Sequence, residues 1–203
     1  ELPKSFNTNN VKDMSYMFYY CSSLREIKLS NFVTNNLENM GHLFEECNIL
    51  TELDISNFNT EKVTDMSNLF TGCTLLNSLK FNFNTINVKK MNGMFSSCLY
   101  LTSINIQNFN TKNVLDMSSM FDFCSNVQIL DVANFDTTMV TSMKNMSRKC
   151  SKIESLDLSN FNTNEVTDMS GMFDECEKLT SIDINTNKFQ TSKVKNFASF
   201  LND

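Results

Sequence analysis

Glycine (4), proline (1) and histidine (1) are scarce in this 203-residue chain, and each scarcity closes off a class of protein. A flexible or polyproline linker would be enriched in glycine or proline, so no stretch reads as a spacer or as disordered. No glycine-rich phosphate loop or Gly-Lys-Ser/Thr motif occurs. His42 is the single histidine and there is no Cys-x-x-Cys pair, so zinc ligation and nucleophilic triads lack their parts. No segment approaches the roughly 18 consecutive apolar residues of a membrane span. The opening Glu1-Leu2-Pro3-Lys4-Ser5-Phe6 has neither the basic nor the apolar region of a secretory signal. Positive charge is in deficit as well, with a net charge of -6, a pI near 4.9 and no long run of one sign. That balance disfavours nucleic acid and anionic membrane surfaces as partners. The chain is therefore expected to use no cofactor, to ligate no metal and not to be an enzyme.

What is present is a ruler. The seven cysteines, Cys21, Cys47, Cys73, Cys98, Cys124, Cys150 and Cys176, are spaced by 26, 26, 25, 26, 26 and 26 residues. A phrase of approximately Phe-Asn-Thr-x-x-Val-x-x-Met-x-x-Met-Phe-x-x-Cys-x-x-Leu-x-x-Leu-x-Leu-Ser-Asn travels with them. A fixed period of this length signals stacked units, each of which buries its apolar face on the next. One domain over residues 1–203 is expected, with about seven full repeats and a degenerate last one. The chain reads as a fragment whose export signal or lipid anchor lies outside it.

The two halves of each unit carry different periods. After the cysteine, Leu24-x-x-Ile27-x-Leu29, Leu50-x-x-Leu53-x-Ile55 and their copies alternate like a strand, and stacking predicts a parallel sheet with an open outer face. Before the cysteine, Val63, Met66, Leu69 with Phe70, and Cys73 advance by three or four residues, which predicts a short helix. Asp13, Asp65, Asp116 and Asp168 stand where they would cap it; the threonine row (Thr8, Thr34, Thr60, Thr85, Thr111, Thr137, Thr163, Thr191) is the alternative cap. The Phe row from Phe32 to Phe161 and the Met row from Met14 to Met169 are expected core ladders. The seven thiols are expected to be a buried, unbridged ladder rather than disulfides, and the Asn row (Asn31, Asn57, Asn82, Asn108, Asn134, Asn160) to satisfy turn backbone.

Phe58-Asn59-Thr60, Val63-Thr64-Asp65-Met66-Ser67, Leu69-Phe70 and Cys73, with the copy Phe161-Asn162-Thr163 to Asp168-Met169-Ser170-Gly171-Met172-Phe173-x-x-Cys176, resemble the BspA-like leucine-rich repeats. That 26-residue repeat belongs to bacterial surface proteins and also occurs in mycoplasma-type lipoproteins and some protist surface proteins. The resemblance implies an α/β leucine-rich-repeat solenoid with a parallel sheet on one face and short helices on the other. It also implies a cell-surface or secreted adhesion or recognition protein that engages host or matrix proteins. No catalytic or ligand motif travels with the repeat.

Three units depart from the pattern. The one after Cys73 is a residue short, reading Phe81-Asn82-Phe83; two residues are added after Ile184; and Ser147, followed by Arg148 and Lys149, stands where other units have Phe. Function is sought where stacking does not dictate the residue. The outward strand row reads Lys28, Asp54, Lys80, Asn105, Asp131, Asp157 and Asp183, with apolar Ile129 beside it in a serine-rich row that includes Ser103, Ser155 and Ser181. Asp54, Asn105, Ile129, Asp131, Asp157 and Asp183 are the candidate partner-binding residues. The acidic residues form a docking strip for a basic protein segment, or a cation site, or merely a solvated face; the strand face as a whole is the expected surface for a protein or glycan partner. Tyr16, Tyr19 and Tyr20 are either exposed anchors or a cover for the first unit. Surface recognition, an intracellular scaffold and a passive surface spacer all remain compatible with the residues.

Overall fold

The structure is a computed structural model that describes residues 6–202; Glu1–Ser5 and Asp203, included in the single repeat domain read from the sequence, lie outside the described residues. Each repeat is one turn of a coil. We number the coils 1 to 8, coils 1 to 7 by their cysteines and the incomplete last one as coil 8.

The expected helix is not formed: no helix occurs among the described residues. The reason lies in where the backbone N–H groups go. In coil 2 those of Met40, His42, Phe44 and Glu46 donate to the carbonyls of Asp65, Ser67, Leu69 and Thr71 in coil 3, at 3.1, 2.8, 3.0 and 2.7 Å. The N–H groups of Glu45 and Cys47 close tight turns on the carbonyls of His42 and Phe44 three residues back. An α-helix directs its N–H groups to the fourth residue back and would leave none for a neighbour. Residues in the left-handed region recur every four positions, His42 and Glu46 (φ 60° each), Asn68 and Gly72, Gly93 and Ser97, and this interrupts any helix. Val63, Met66, Leu69, Phe70 and Cys73 are nonetheless fully buried, because a succession of tight turns brings a side chain inward every three or four residues just as a helix does.

The capping roles change accordingly. Asp65 accepts from the Ser67 N–H at 2.9 Å and Asp168 from the Ser170 N–H at 2.9 Å, so these carboxylates brace a local turn rather than a helix end. The threonine row caps no helix either. Thr137 Oγ1, fully buried, donates to the Asn162 carbonyl of the next coil at 2.9 Å and accepts from the Asn162 N–H at 2.8 Å. Thr85 does the same with Asn110. A hydroxyl that both donates and accepts is what a stack of identical coils needs at a bend where backbone cannot pair with backbone.

Parallel bridges run without a break on the turn side through Asp13, Asn39, Asp65, Lys90, Asp116, Ser142, Asp168 and Asn196, one residue per coil. The strand side is different. Strand β1 (Glu52–Ile55, coil 2) pairs in parallel with β2 (Ser78–Phe81, coil 3), and β3 (Ser155–Leu158, coil 6) with β4 (Ser181–Ile184, coil 7). A lone bridge joins Ser103 of coil 4 to Ile129 of coil 5. Among the described residues, strand-side pairing therefore joins coils 2–3, 4–5 and 6–7 and is missing at 1–2, 3–4 and 5–6. The α/β leucine-rich-repeat solenoid with one continuous sheet and a helical face is corrected to a coil stack with two small two-stranded parallel sheets.

The interior is made of ladders. Phe18, Phe44, Phe70, Phe95 and Phe121 stack with ring centroids 5.4 to 6.1 Å apart. Met40, Met66, Met91, Met117, Met143 and Met169 are fully buried beside them, and the Phe32 to Phe161 row is buried throughout. At about 1.5 to 3 kcal/mol per buried large side chain before conformational entropy, these rows dominate the stabilisation of the stack. All seven cysteines are thiols. Each from Cys47 onward donates from Sγ to a carbonyl of the preceding coil, as Cys73 does to Phe44 at 3.1 Å and Cys124 to Phe95 at 3.1 Å. Burial pushes the Cys47 thiol up to about 12 and those of Cys98, Cys124 and Cys150 well above their usual value. In the short unit, Phe81 turns onto Phe83 (4.8 Å) and Phe109 (5.9 Å) and fills the tightened bend.

Candidate functional site

The strand side carries an open groove of about 750 Å³ at the unpaired boundary between coils 5 and 6. Gln128, Ile129, Leu130 and Asp131 supply one side, Lys152, Glu154, Ser155 and Asp157 the other, and Lys178 of coil 7 reaches its end. The turn-side bridge between Asp116 and Ser142 holds the same two coils together at the back, so the groove opens only on the strand face.

Of the six sequence candidates, the groove brings together Ile129, Asp131 and Asp157. Asp183 continues the carboxylate row, in register with Asp157 across the β3–β4 pair, but lies outside the groove. Asp54 is remote: it pairs in register with Lys80 and lines a smaller hollow between coils 1 and 2 with Ile27 and Lys28. Asn105 is exposed on coil 4 and lines neither hollow. The sequence reading missed Lys152, Lys178 and Glu154. The lysines had a signal, because both stand two residues after a repeat cysteine and so share one row.

Three carboxylates of the acidic row have a structural job along one oxygen. Asp157 Oδ1 accepts from the Ser159 N–H at 2.9 Å, Asp54 Oδ1 from the Ser56 N–H at 3.1 Å, and Asp131 Oδ1 from the Ala133 N–H at 3.4 Å. Hydrogen bonding from Ser159 and from Ser56 holds the Asp157 and Asp54 carboxyls below the usual carboxylate range. These bonds orient the three carboxylates. Ile129 is 74% exposed, the most exposed large apolar side chain of the described residues. Lys152 is steadied on the opposite wall by Asn126 Oδ1 at 2.6 Å.

Two other clusters stand apart from the groove. Where Ser147 interrupts the Phe ladder, Arg148 makes a bidentate pair with buried Asp122 (2.8 and 2.9 Å), and the Arg148 guanidinium and the Lys149 ammonium lie over the Phe123 ring at 4.9 and 4.8 Å. Burial pushes the Asp122 carboxyl up, and the guanidinium opposes it. At the other end Tyr16 stacks on His42 at 4.3 Å and meets Tyr19 edge-on, while Tyr19 and Tyr20 face solvent. No group of three His, Cys, Asp or Glu side chains among the described residues is arranged to hold a metal ion.

A search of curated proteins found no match to the chain. The family model for "Mycoplasma protein of unknown function, DUF285" matches three times, over residues 2–104, 38–128 and 99–203. Overlapping matches that together run from residue 2 to 203 are what a tandem repeat produces, and they span the coils that build the groove. On that match the chain belongs to the DUF285 family of Mycoplasma proteins of unknown function.

Proposed function

We propose that this chain is a surface-displayed recognition module, not an enzyme, and that it binds a basic segment of a partner protein along Asp131, Asp157 and Asp183. One contrast carries the reading. On the turn-side ladder, acidic residues occupy only alternate coils, with Asn39, Lys90, Ser142 and Asn196 between Asp13, Asp65, Asp116 and Asp168. The fold thus keeps like charges two levels apart where the row serves structure. On the strand side three carboxylates stand on consecutive coils, Asp157 and Asp183 in direct register where like charges repel, and Asp131 and Asp157 line one groove with an exposed isoleucine. A partner that neutralises the row relieves the repulsion.

Surface display rests on the resemblance of the 26-residue unit to BspA-like repeats. Panning a random peptide library against the folded chain tests the reading, with the variant Asp131→Lys/Asp157→Lys/Asp183→Lys as counter-target. Enriched peptides should carry Lys or Arg and bind the variant at least about tenfold more weakly, while its melting temperature stays within a few degrees of the parent. Peptides that bind both proteins equally would remove the strip as the binding site. Protease shaving of intact cells tests display separately, since a chain protected from added protease is not at the surface.

A further inference from the structure

The groove says more about its partner than that it is basic. Resting on the reading above, we propose that its occupant is a single arginine side chain of a partner protein segment. Its stem lies on Ile129, its guanidinium sits between Asp131 and Asp157, and an acidic residue beside it faces Lys152 and Lys178.

Three observations converge on this. First, Ile129 stands in a row that otherwise reads Glu26, Glu52, Ser78, Ser103, Ser155 and Ser181, so stacking does not require an apolar residue there. At 74% exposure it gains little from burial within this chain. The methylene stem of a long basic side chain covers such a surface while its charged head stays in a polar environment. Second, Asp131 and Asp157 lie on adjacent coils at a boundary without strand pairing, and both line the groove. Each has Oδ1 engaged by its own turn, which leaves the second oxygen for a partner's donor. A planar guanidinium with five N–H groups in a fixed fork can engage two oriented carboxylates at once; a lysine ammonium is a compact, strongly hydrated point charge and suits this geometry less well. Third, the wall that carries Asp157 also carries Lys152 beside Glu154, and Lys178 stands at the groove's end. The two lysines offer a counter-charge to a carboxylate next to the bound arginine and repel a neighbouring positive charge, so the groove favours an arginine with an acidic neighbour over a run of positive charges.

The test uses the ¹⁵N-labelled chain and blocked peptides, acetyl-Ala-Glu-Arg-Ala-amide and its forms with citrulline or lysine in place of arginine. The arginine peptide should shift amide resonances of residues 128–131 and 154–157. Citrulline, nearly isosteric but neutral, should weaken binding at least about tenfold, and lysine about threefold or more. Ile129→Ser installs the residue found on the flanking coils, so it folds, and it should weaken the arginine peptide about threefold or more. Equal binding of the arginine and citrulline peptides, or shifts confined to other coils, would overturn the proposal, as would free arginine binding as tightly as the peptide. Hexalysine separates this inference from the broader one. If hexalysine binds this face, is lost with the triple charge reversal and is not displaced by the arginine peptide, the acidic strip stands and the arginine clamp falls. If neither peptide touches these residues, both fall.

Discussion

The threonine ladder gives the sharpest test of how the coils are held together. Thr137 is fully buried, and its hydroxyl donates to the Asn162 carbonyl at 2.9 Å while accepting from the Asn162 N–H at 2.8 Å. Thr137→Val keeps the β-branched shape and removes only the hydrogen-bonding oxygen. Both backbone groups of Asn162 then lose their partner. A stranded polar group costs about 1 to 3 kcal/mol, and since Asn162 is only half-buried the lower part of that range applies, so two groups sum to about 2 to 3 kcal/mol. Thr137→Ser keeps the hydroxyl and deletes one methyl, at about 1 kcal/mol. Urea unfolding followed by far-UV circular dichroism distinguishes the two. With a denaturant slope of about 3 kcal/mol per molar, the valine variant should unfold near 0.7 to 1 M lower and the serine variant near 0.3 M lower, slopes unchanged. A valine variant as stable as the serine variant would refute the idea that these hydroxyls stitch coil to coil.

Other expectations follow from the same geometry. Arg148→Met leaves Asp122 as a buried charge without its bidentate partner and should cost about 2 kcal/mol, whereas Asp122→Leu with Arg148→Met should recover most of that loss; thermal melts of the parent, the two single variants and the double variant give the coupling directly. Because burial holds the Cys47, Cys98, Cys124 and Cys150 thiols protonated, a disulfide reagent at pH 8 should label only the partly exposed Cys21 rapidly, and fast labelling of a second cysteine in the folded chain would contradict the ladder. Tyr20 holds a left-handed backbone (φ 56°) while 64% exposed, so Tyr20→Gly should stabilise the chain by about 1 kcal/mol in a urea titration; no gain would mean the ring's contacts offset the strain.

Part of the candidate groove's lining is legible in the sequence, and for a physical reason. A repeat fixes which residues recur because the stack needs them, so the variable outward positions stand out by subtraction. Ile129, Asp131 and Asp157 were found in that way. Asp54 and Asn105 were drawn in with them because a row in sequence was treated as a continuous row in space. Lys152 and Lys178 were missed although they share a register, since nothing in one chain's sequence says that the groove at the unpaired boundary reaches the residues two after the cysteine.

The 26-residue period and its apolar phrase determined by themselves that identical coils stack and which side chains enter the core. Burial depends on the spacing of apolar residues, and that spacing is written in the sequence. They could not determine the backbone that delivers those side chains. A three- to four-residue rhythm serves an α-helix and a succession of tight turns equally well, and what separates the two is whether N–H groups bond within the coil or to the next one. Only the tertiary structure decides that, because the acceptor for Phe44 is Leu69, 25 residues away. The same holds for the strand side. Every unit carries a strand-like pattern, yet pairing forms at coils 2–3, 4–5 and 6–7 and lapses between them, and the lapse at coils 5–6 is where the groove opens.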